Sequence, residues 1–288
     1  MKDLNRNVFE IHGLDCAYGH NGNRGQKVVL HIEHLCVPMG KVSVILGRSG
    51  SGKSTLIETL GLMNNSIGKG VITYHYGENV VNFGMDIWKR PADLANLRNR
   101  HFSFIFQNDF LMPHYSPEEN MMIGKLIQDA DDRNPSESVE LEKFCRMMGL
   151  NFNEISTKKV SELSVGQRQR LSFIRASVKN YSVIFGDEPT GNLDEINSEL
   201  LMDVLIESIK LNDQRSVILV SHNIPLSIAK AGCIIVLSPV TGEIFEIRSG
   251  NVFLRSGAGW LNGNNEILAD TDLEIKIREA VNVHAPLQ

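Results

Sequence analysis

Five short apolar runs, at positions 42–46, 102–106, 183–185, 217–220 and 234–237, punctuate an otherwise mixed sequence. They are rich in β-branched and aromatic residues. Continuous apolar runs of this length suit strands buried on both faces, as in a parallel sheet covered by helices. Between them the period changes. Leu200, Leu201, Val204, Leu205 and Ile209 fall on one helical stripe, and Leu171, Ile174 and Val178 repeat the pattern before the run at 183. Strands alternating with amphipathic helices predict an α/β, doubly wound fold.

Two regions depart from that alternation. Between 112 and 165 the sequence predicts two helices, at 118–128 and 136–148, joined by the polar loop 129–135. This region reads as a helical subdomain inserted in the α/β core. After Pro239 the pattern weakens. Positions 242–254 alternate, a Gly/Asn-rich loop is expected at 256–265, and a short helix near Asp272. The expected division is a main domain over 1–240 and a C-terminal extension of unassigned role over 241–288. Another Gly-rich stretch, from Tyr18 to Gly25, runs into the apolar segment 28–30 and reads as a hairpin loop.

Bulk properties narrow the function classes. The formal net charge of -5 lacks the basic excess of a nucleic-acid binder. Cys16, Cys36, Cys145 and Cys233 are widely spaced with no C-x-x-C pair, the usage of reduced thiols. The N-terminal residues lack the apolar region of a signal peptide. No stretch reaches the ~18 apolar residues needed to span a bilayer, so any membrane span is expected from another chain.

The candidate chemistry begins at Gly47-Arg-Ser-Gly-Ser-Gly-Lys-Ser54, which fits G-x-x-x-x-G-K-[ST]. A Gly-rich turn between a strand and a helix aims successive N–H groups at phosphate oxygens, and the helix adds its positive N-terminal dipole. Gly47, Arg48, Ser49, Gly50, Ser51, Gly52, Lys53, Ser54 and Thr55 are therefore candidate nucleotide-binding residues, with the following helix expected at 54–62. Lys53 supplies a cation to the β/γ-phosphates, and Ser54 a hydroxyl for Mg²⁺. The run at 183–185 ends in Gly186, Asp187 and Glu188. Ligands of open α/β folds sit beyond the carboxyl ends of strands. Asp187 is thus the candidate metal holder, and Glu188 the candidate general base for an attacking water.

Leu163-Ser-Val-Gly-Gln167 resembles the LSGGQ signature of the ABC (ATP-binding cassette) ATPases, and the likeness extends over about residues 8–240. The resemblance implies a P-loop NTPase core of ABC type, with an inserted helical subdomain and an antiparallel β subdomain. It implies ATP and Mg²⁺ as ligands and ATP hydrolysis as the activity. Gln107 matches the Q-loop glutamine, a contact for metal and attacking water. Gly191-Asn-Leu-Asp194 matches the D-loop, His222 the switch histidine, and Tyr18 the aromatic that stacks on adenine. Ser164, Gly166, Gln167 and Asp194 would act on nucleotide held by a second, identical subunit, in a head-to-tail dimer enclosing two ATP molecules. Val165 stands where the signature has glycine, and Gly186 where alanine is commoner.

The segments 97–120 and 187–194 resemble the branch holding the bacterial lipoprotein-releasing, macrolide-export and cell-division ATPases (LolD-, MacB- and FtsE-like). The branch implies an integral-membrane permease partner and a peripheral, cytoplasmic location on the inner face of the cell membrane. It implies no nucleic-acid partner. A non-transport ABC ATPase, in cell-wall signalling or assembly, is the alternative. Phe110, Leu111, Met112 and Tyr115 read equally as subdomain core or as a groove for the membrane partner.

Overall fold

The computed structural model describes residues 6–19, 27–128, 137–191, 193–241, 244–257 and 259–282. Two sheets organise it. An eight-stranded sheet runs in the order β14 (Ile267–Leu268), β13 (Gly259–Asn262), β12 (Val252–Ser256), β9 (Cys233–Val236), β3 (Val42–Leu46), β8 (Ser216–Val220), β7 (Val183–Asp187) and β6 (Phe102–Ile105). From β9 to β6 every pairing is parallel. β3 and β8 are buried at every position, as expected of strands covered on both faces.

A six-stranded sheet lies beside it, in the order β10 (Ser238–Thr241), β11 (Ile244–Ile247), β2 (Lys27–Pro38), β1 (Asn7–Tyr18), β4 (Ile67–Tyr76) and β5 (Asn79–Phe83). Its pairings are antiparallel except β11 with β2. β1 alternates buried Phe9, Ile11 and Leu14 with more exposed Glu10, His12 and Asp15, the signature of a sheet with one covered face. β1 and β2 pair out to Tyr18 and Lys27. The hairpin loop expected between them lies outside the described residues, as does the polar loop 129–135.

The helices are α1 (Lys53–Leu60), α2 (Pro91–His101), α3 (Pro117–Gln128), α4 (Glu137–Met147), α5 (Phe152–Ile155), α6 (Val165–Val178), α7 (Glu195–Leu211), α8 (Ile224–Lys230) and α9 (Asp270–Asn282). α3 and α4 pack against α6, so the inserted helices rest on the element that begins at the signature. Two apolar clusters result. One joins α3, α4, α6, α7, α8 and α9 to one face of the parallel strands. The other fills the space between the two sheets around α1.

The expected C-terminal extension continues both sheets. The boundary at 240/241 falls within β10, β11 completes the antiparallel sheet beside β2, and β12–β14 extend the parallel sheet from β9. The Gly/Asn-rich segment expected as a loop at 256–265 contains β13. Trp260, fully buried, anchors this strand despite the flanking glycines. The helix expected near Asp272 begins at Asp270. Smaller end effects occur elsewhere: β6 stops at Ile105, β9 at Val236, and α1 spans Lys53–Leu60 rather than 54–62.

Candidate active site

The loop between β3 and α1 has the backbone its glycines permit. Gly50 (φ 76°) and Gly52 (φ 91°) are left-handed, a region costly for residues with a Cβ. Gly52 is also the N-cap of α1. Lys53 is buried, and its Nζ donates to the carbonyls of Gly47 and Arg48, at 2.9 Å each. Burial pushes its pKa down, and the nearby Glu188 and Asp187 carboxylates pull it back up. The lysine thus braces the loop from within while facing the two acids at the end of β7.

β7 ends at Asp187, whose pKa is raised by burial and by Glu188. A hydrogen bond from Ser54 and the charges of Lys53 and His222 oppose that rise without cancelling it. Asp187 Oδ1 is buried with no protein partner. An orphaned acceptor of this kind asks for a water or an ion. A carboxylate oxygen beside a serine hydroxyl is a hard-oxygen donor set of the type Mg²⁺ takes, with water and phosphate completing it. The residues present therefore fit a magnesium ion.

Glu188 follows with φ 49°, one of four non-glycine residues at positive φ among the described residues. The cost of such a conformation is about 1–2 kcal/mol. Such outliers persist where the surroundings over-determine them. Here Glu188 N donates to Val220 O at 3.2 Å, and Glu188 Oε1 lies 2.5 Å from His222 Nε2. Two clefts meet at Glu188. One, of about 310 Å³, is lined by Ser54, Gln107, Asp187 and Glu188. The other, of about 450 Å³, is lined by Glu188, Thr190, Ser221 and His222. Lys53, Ser54, Gln107, Asp187, Glu188 and His222 thus surround one end of the parallel strands. A phosphate there would meet the loop N–H groups on one side and the two acids on the other.

Tyr18 stands at the end of β1, 44% exposed. Its hydroxyl donates to Thr55 Oγ1 at 3.0 Å and accepts from Asn64 Nδ2 at 3.2 Å. The ring is therefore tied to α1 and to the turn after it, with its surface open to solvent.

The signature lies at the start of α6. Ser164 is its N-cap, and Ser164 and Gln167 form a reciprocal capping box. Val165 is 59% exposed. A Cβ built on Gly166 would meet nothing within 4 Å. Asp194 caps α7 by accepting from Asn197 N at 2.8 Å. Ser164, Gly166, Gln167 and Asp194 line neither cleft around Glu188. The structure thus brings the phosphate loop, Gln107, Asp187, Glu188 and His222 together, while the signature and Asp194 are not among the residues lining either cleft. Asn192 of the D-loop match lies outside the described residues.

Several residues not singled out in the sequence hold these parts in register. Arg168 Nε pairs with Asp109 Oδ2 at 3.0 Å and Nη1 donates to Leu163 O at 2.8 Å. Arg175 donates to the carbonyls of Phe110 and Asp109 at 2.8 and 2.9 Å. The segment after Gln107 is thereby clamped to α6, and hence to the signature. Arg168 and Arg175 are two helical turns apart, so their spacing alone put both on one face. Fully buried Asn120 donates to Met112, Tyr115 and Ser116 carbonyls and accepts from Met112 N, fixing the loop that carries Phe110, Met112 and Tyr115. Those three are 61%, 44% and 43% exposed, whereas Leu111 packs against the core. A Cβ at Gly186 would meet Leu219 Cδ2 at 2.6 Å, so alanine there requires the leucine to move. All four cysteines are unpaired.

Known proteins share this arrangement. Residues 30–191 match the ABC transporter family. The chain is 34% identical over 219 residues to the lipoprotein-releasing system ATP-binding protein LolD of Syntrophus aciditrophicus, an overlap of 75% of this chain and 90% of that one. It is 32% identical over 225 residues to the macrolide export ATP-binding/permease protein MacB of Pasteurella multocida, covering 78% of this chain but 32% of that longer protein. The solved dimeric structure of MJ0796, a bacterial ABC transporter cassette, superposes with a TM-score of 0.65 at 25% identity, over 79% of this chain and 93% of that one.

Proposed function

The chain belongs to the ABC transporter family, and from that premise we propose that it drives a separate membrane permease by closing head-to-tail, as two copies, on two Mg-ATP molecules. It is an ATP-binding, ATP-hydrolysing cassette of a transporter.

The N–H groups of residues 47–55 and the dipole of α1 receive the phosphates. The ammonium of Lys53 exchanges its two carbonyl acceptors for phosphate oxygens. Ser54, Asp187 and Gln107 would hold Mg²⁺, whose chemical contribution is to neutralise charge developing on the phosphates. Glu188 accepts a proton from the attacking water, which Gln107 helps orient. His222, hydrogen-bonded to Glu188, holds that carboxylate and reaches toward the γ-phosphate. Tyr18 offers its ring face to the adenine.

One observation carries the two-copy reading. Gly166, in the first turn of a helix, has open space around it within its own chain. Glycine there costs about 1 kcal/mol relative to alanine. Its presence fits close approach by something outside the chain, and Ser164 lies exposed beside it. The phosphate loop of a second copy is the group the signature lacks. Closure and reopening then follow from gain and loss of γ-phosphate contacts.

The permease reading rests on the relatives and on one surface. Exposed Phe110, Met112 and Tyr115, clamped through Asp109 to α6, would receive the membrane subunit. Among the described residues no helix is long and apolar enough to cross a membrane, so this reading takes the span from a partner and sets the cassette on the inner face of the cell membrane. The work would be of the lipoprotein-release or macrolide-export kind. Tagged Glu188→Gln protein with Mg-ATP, used to capture partners from detergent-solubilised membranes, should recover a polytopic protein. Recovery of soluble partners alone would contradict the permease assignment.

A further inference from the structure

His222 sits one residue before Asn223, the N-cap of α8. α8 has seven residues, two turns, too short to hold itself in place by its own hydrogen bonds. Its position, and with it the path of the chain leaving His222, must come from what it rests on. One support is α7, where Asp203 pairs with Lys230 at 2.6 Å. The parallel sheet at β3 is a second, and a third is supplied by the region after residue 241.

That support is specific. Arg255, on β12, donates from Nη2 to the carbonyl of Ile228, in the last turn of α8. Its backbone N–H bonds Gly232 O at 2.9 Å, just past the helix end. The same guanidinium pairs with Asp270 Oδ1 at 2.7 Å and lies 4.4 Å from the ring centroid of Trp260. The Trp260 indole in turn donates to Asp270 Oδ1 at 2.8 Å. A cation at a helix C-terminus is favourably placed against the dipole and satisfies a free carbonyl. Beneath this polar cap, Leu273 and Ile277 of α9 are fully buried in the cluster that also buries Ile224 and Ile228 of α8.

We propose that the C-terminal unit of β12, β13 and α9 is a positioning device for His222. Arg255 is its key residue, oriented by Trp260 and Asp270, and acts by fixing the far end of the helix whose near end carries the histidine. Arg255 touches no reacting group; it acts through α8. The proposal rests on the reading of His222 as a catalytic residue, and gives the residues beyond 241 a role in that chemistry.

A double-mutant cycle tests it. Steady-state ATPase is measured for wild type, Arg255→Met, His222→Ala and the double variant, with thermal unfolding to confirm that each is folded. Arg255→Met should lower kcat by about tenfold, the scale of coupling within one network, with KM for ATP within about twofold. In the His222→Ala background the same substitution should change kcat by less than about twofold. Arg255→Lys, which keeps a donor for Ile228 O, should recover part of the loss. If Arg255→Met does not fold, Trp260→Phe, which removes the indole donor to Asp270 and shrinks the ring beneath Arg255, replaces it in the cycle. Equal loss in both backgrounds, or no loss in the first, overturns the proposal. If His222→Ala alone retains full kcat, the reading of His222 fails, and this inference fails with it.

Discussion

Replacing Asp187 by asparagine should stabilise the nucleotide-free protein and weaken its response to nucleotide. The fold disfavours this carboxylate: burial opposes its charge, Glu188 adds repulsion, and Oδ1 has no protein partner. An unpartnered buried acceptor costs about 1–3 kcal/mol. Asp187 is only half-buried, so solvent screening places the effect near about 1 kcal/mol. For a chain of this size that corresponds to a rise in Tm of about 2–4 °C in Asp187→Asn. The sign with pH follows from the raised pKa. Stability associated with the protonated acid is fully present below the unfolded carboxylate value of about 3.9 and is lost as pH rises through the folded value. Variant and wild type should therefore converge toward acid pH and separate toward pH 8. Adding Mg-ATP should reverse the order. At about 100 times Kd the wild type gains about 2.7 kcal/mol. A tenfold weaker variant gains about 1.4 kcal/mol less, more than its initial advantage. Scanning calorimetry at pH 5 and pH 8, with and without Mg-ATP, reads all four states. A nucleotide-free Asp187→Asn protein less stable than wild type at pH 8, or an equal gain from Mg-ATP, would refute the reasoning.

Other outcomes follow from the same geometry. Tyr18→Ala should raise Kd for ATP by about 1–3 kcal/mol of lost stacking, whereas Tyr18→Phe, losing only its bonds to Thr55 and Asn64, should lose less than half of that; equal affinity in Tyr18→Ala would remove Tyr18 from the nucleotide site. Arg168→Gln and Asp109→Asn should each lower ATPase activity without changing ATP affinity, and together cost less than the sum, with coupling of about 1 kcal/mol for a pair whose side chains are roughly 70% buried. Additive losses would mean the clamp between the segment after Gln107 and α6 does not transmit to the site. Glu188→Gln should lower kcat by at least about 10²-fold with ATP affinity retained; a rate near wild type would move the general base elsewhere.

The parallel strands and the phosphate loop were legible because they answer to strong local demands. A strand covered on both faces must be apolar throughout, as at 217–220, and a phosphate cradle needs glycines where Gly50 and Gly52 turn left-handed. Asp187 and Glu188 were legible because they end such a strand. The edges were not. β13 is four residues beginning at Gly259, and pairing with β12 and β14, together with the burial of Trp260 against Arg255 and Asp270, makes it a strand. No periodicity can show that over four positions. β11 pairs with β2 across about 215 residues of chain, a contact that neither segment encodes locally. The bonds from Asn64 to Tyr18 and from Arg168 to Asp109 are likewise long-range. The positive φ of Glu188 is imposed by its surroundings rather than by its residue type.

The central claim, that hydrolysis takes place where the phosphate loop of one copy meets the signature of another, is tested most directly by mixing two inactive variants. Glu188→Gln lacks the base but keeps its signature. Gly166→Asp keeps the base but blocks the signature, and open space around position 166 lets the chain fold with the larger side chain. Each should be nearly inactive alone. Mixed, they form a pair in which one composite site has an intact Glu188 from one copy and an intact Ser164 and Gly166 from the other. The account predicts that ATPase activity returns on mixing and rises with the fraction of mixed pairs. Activity that never exceeds the sum of the two separate proteins would contradict it.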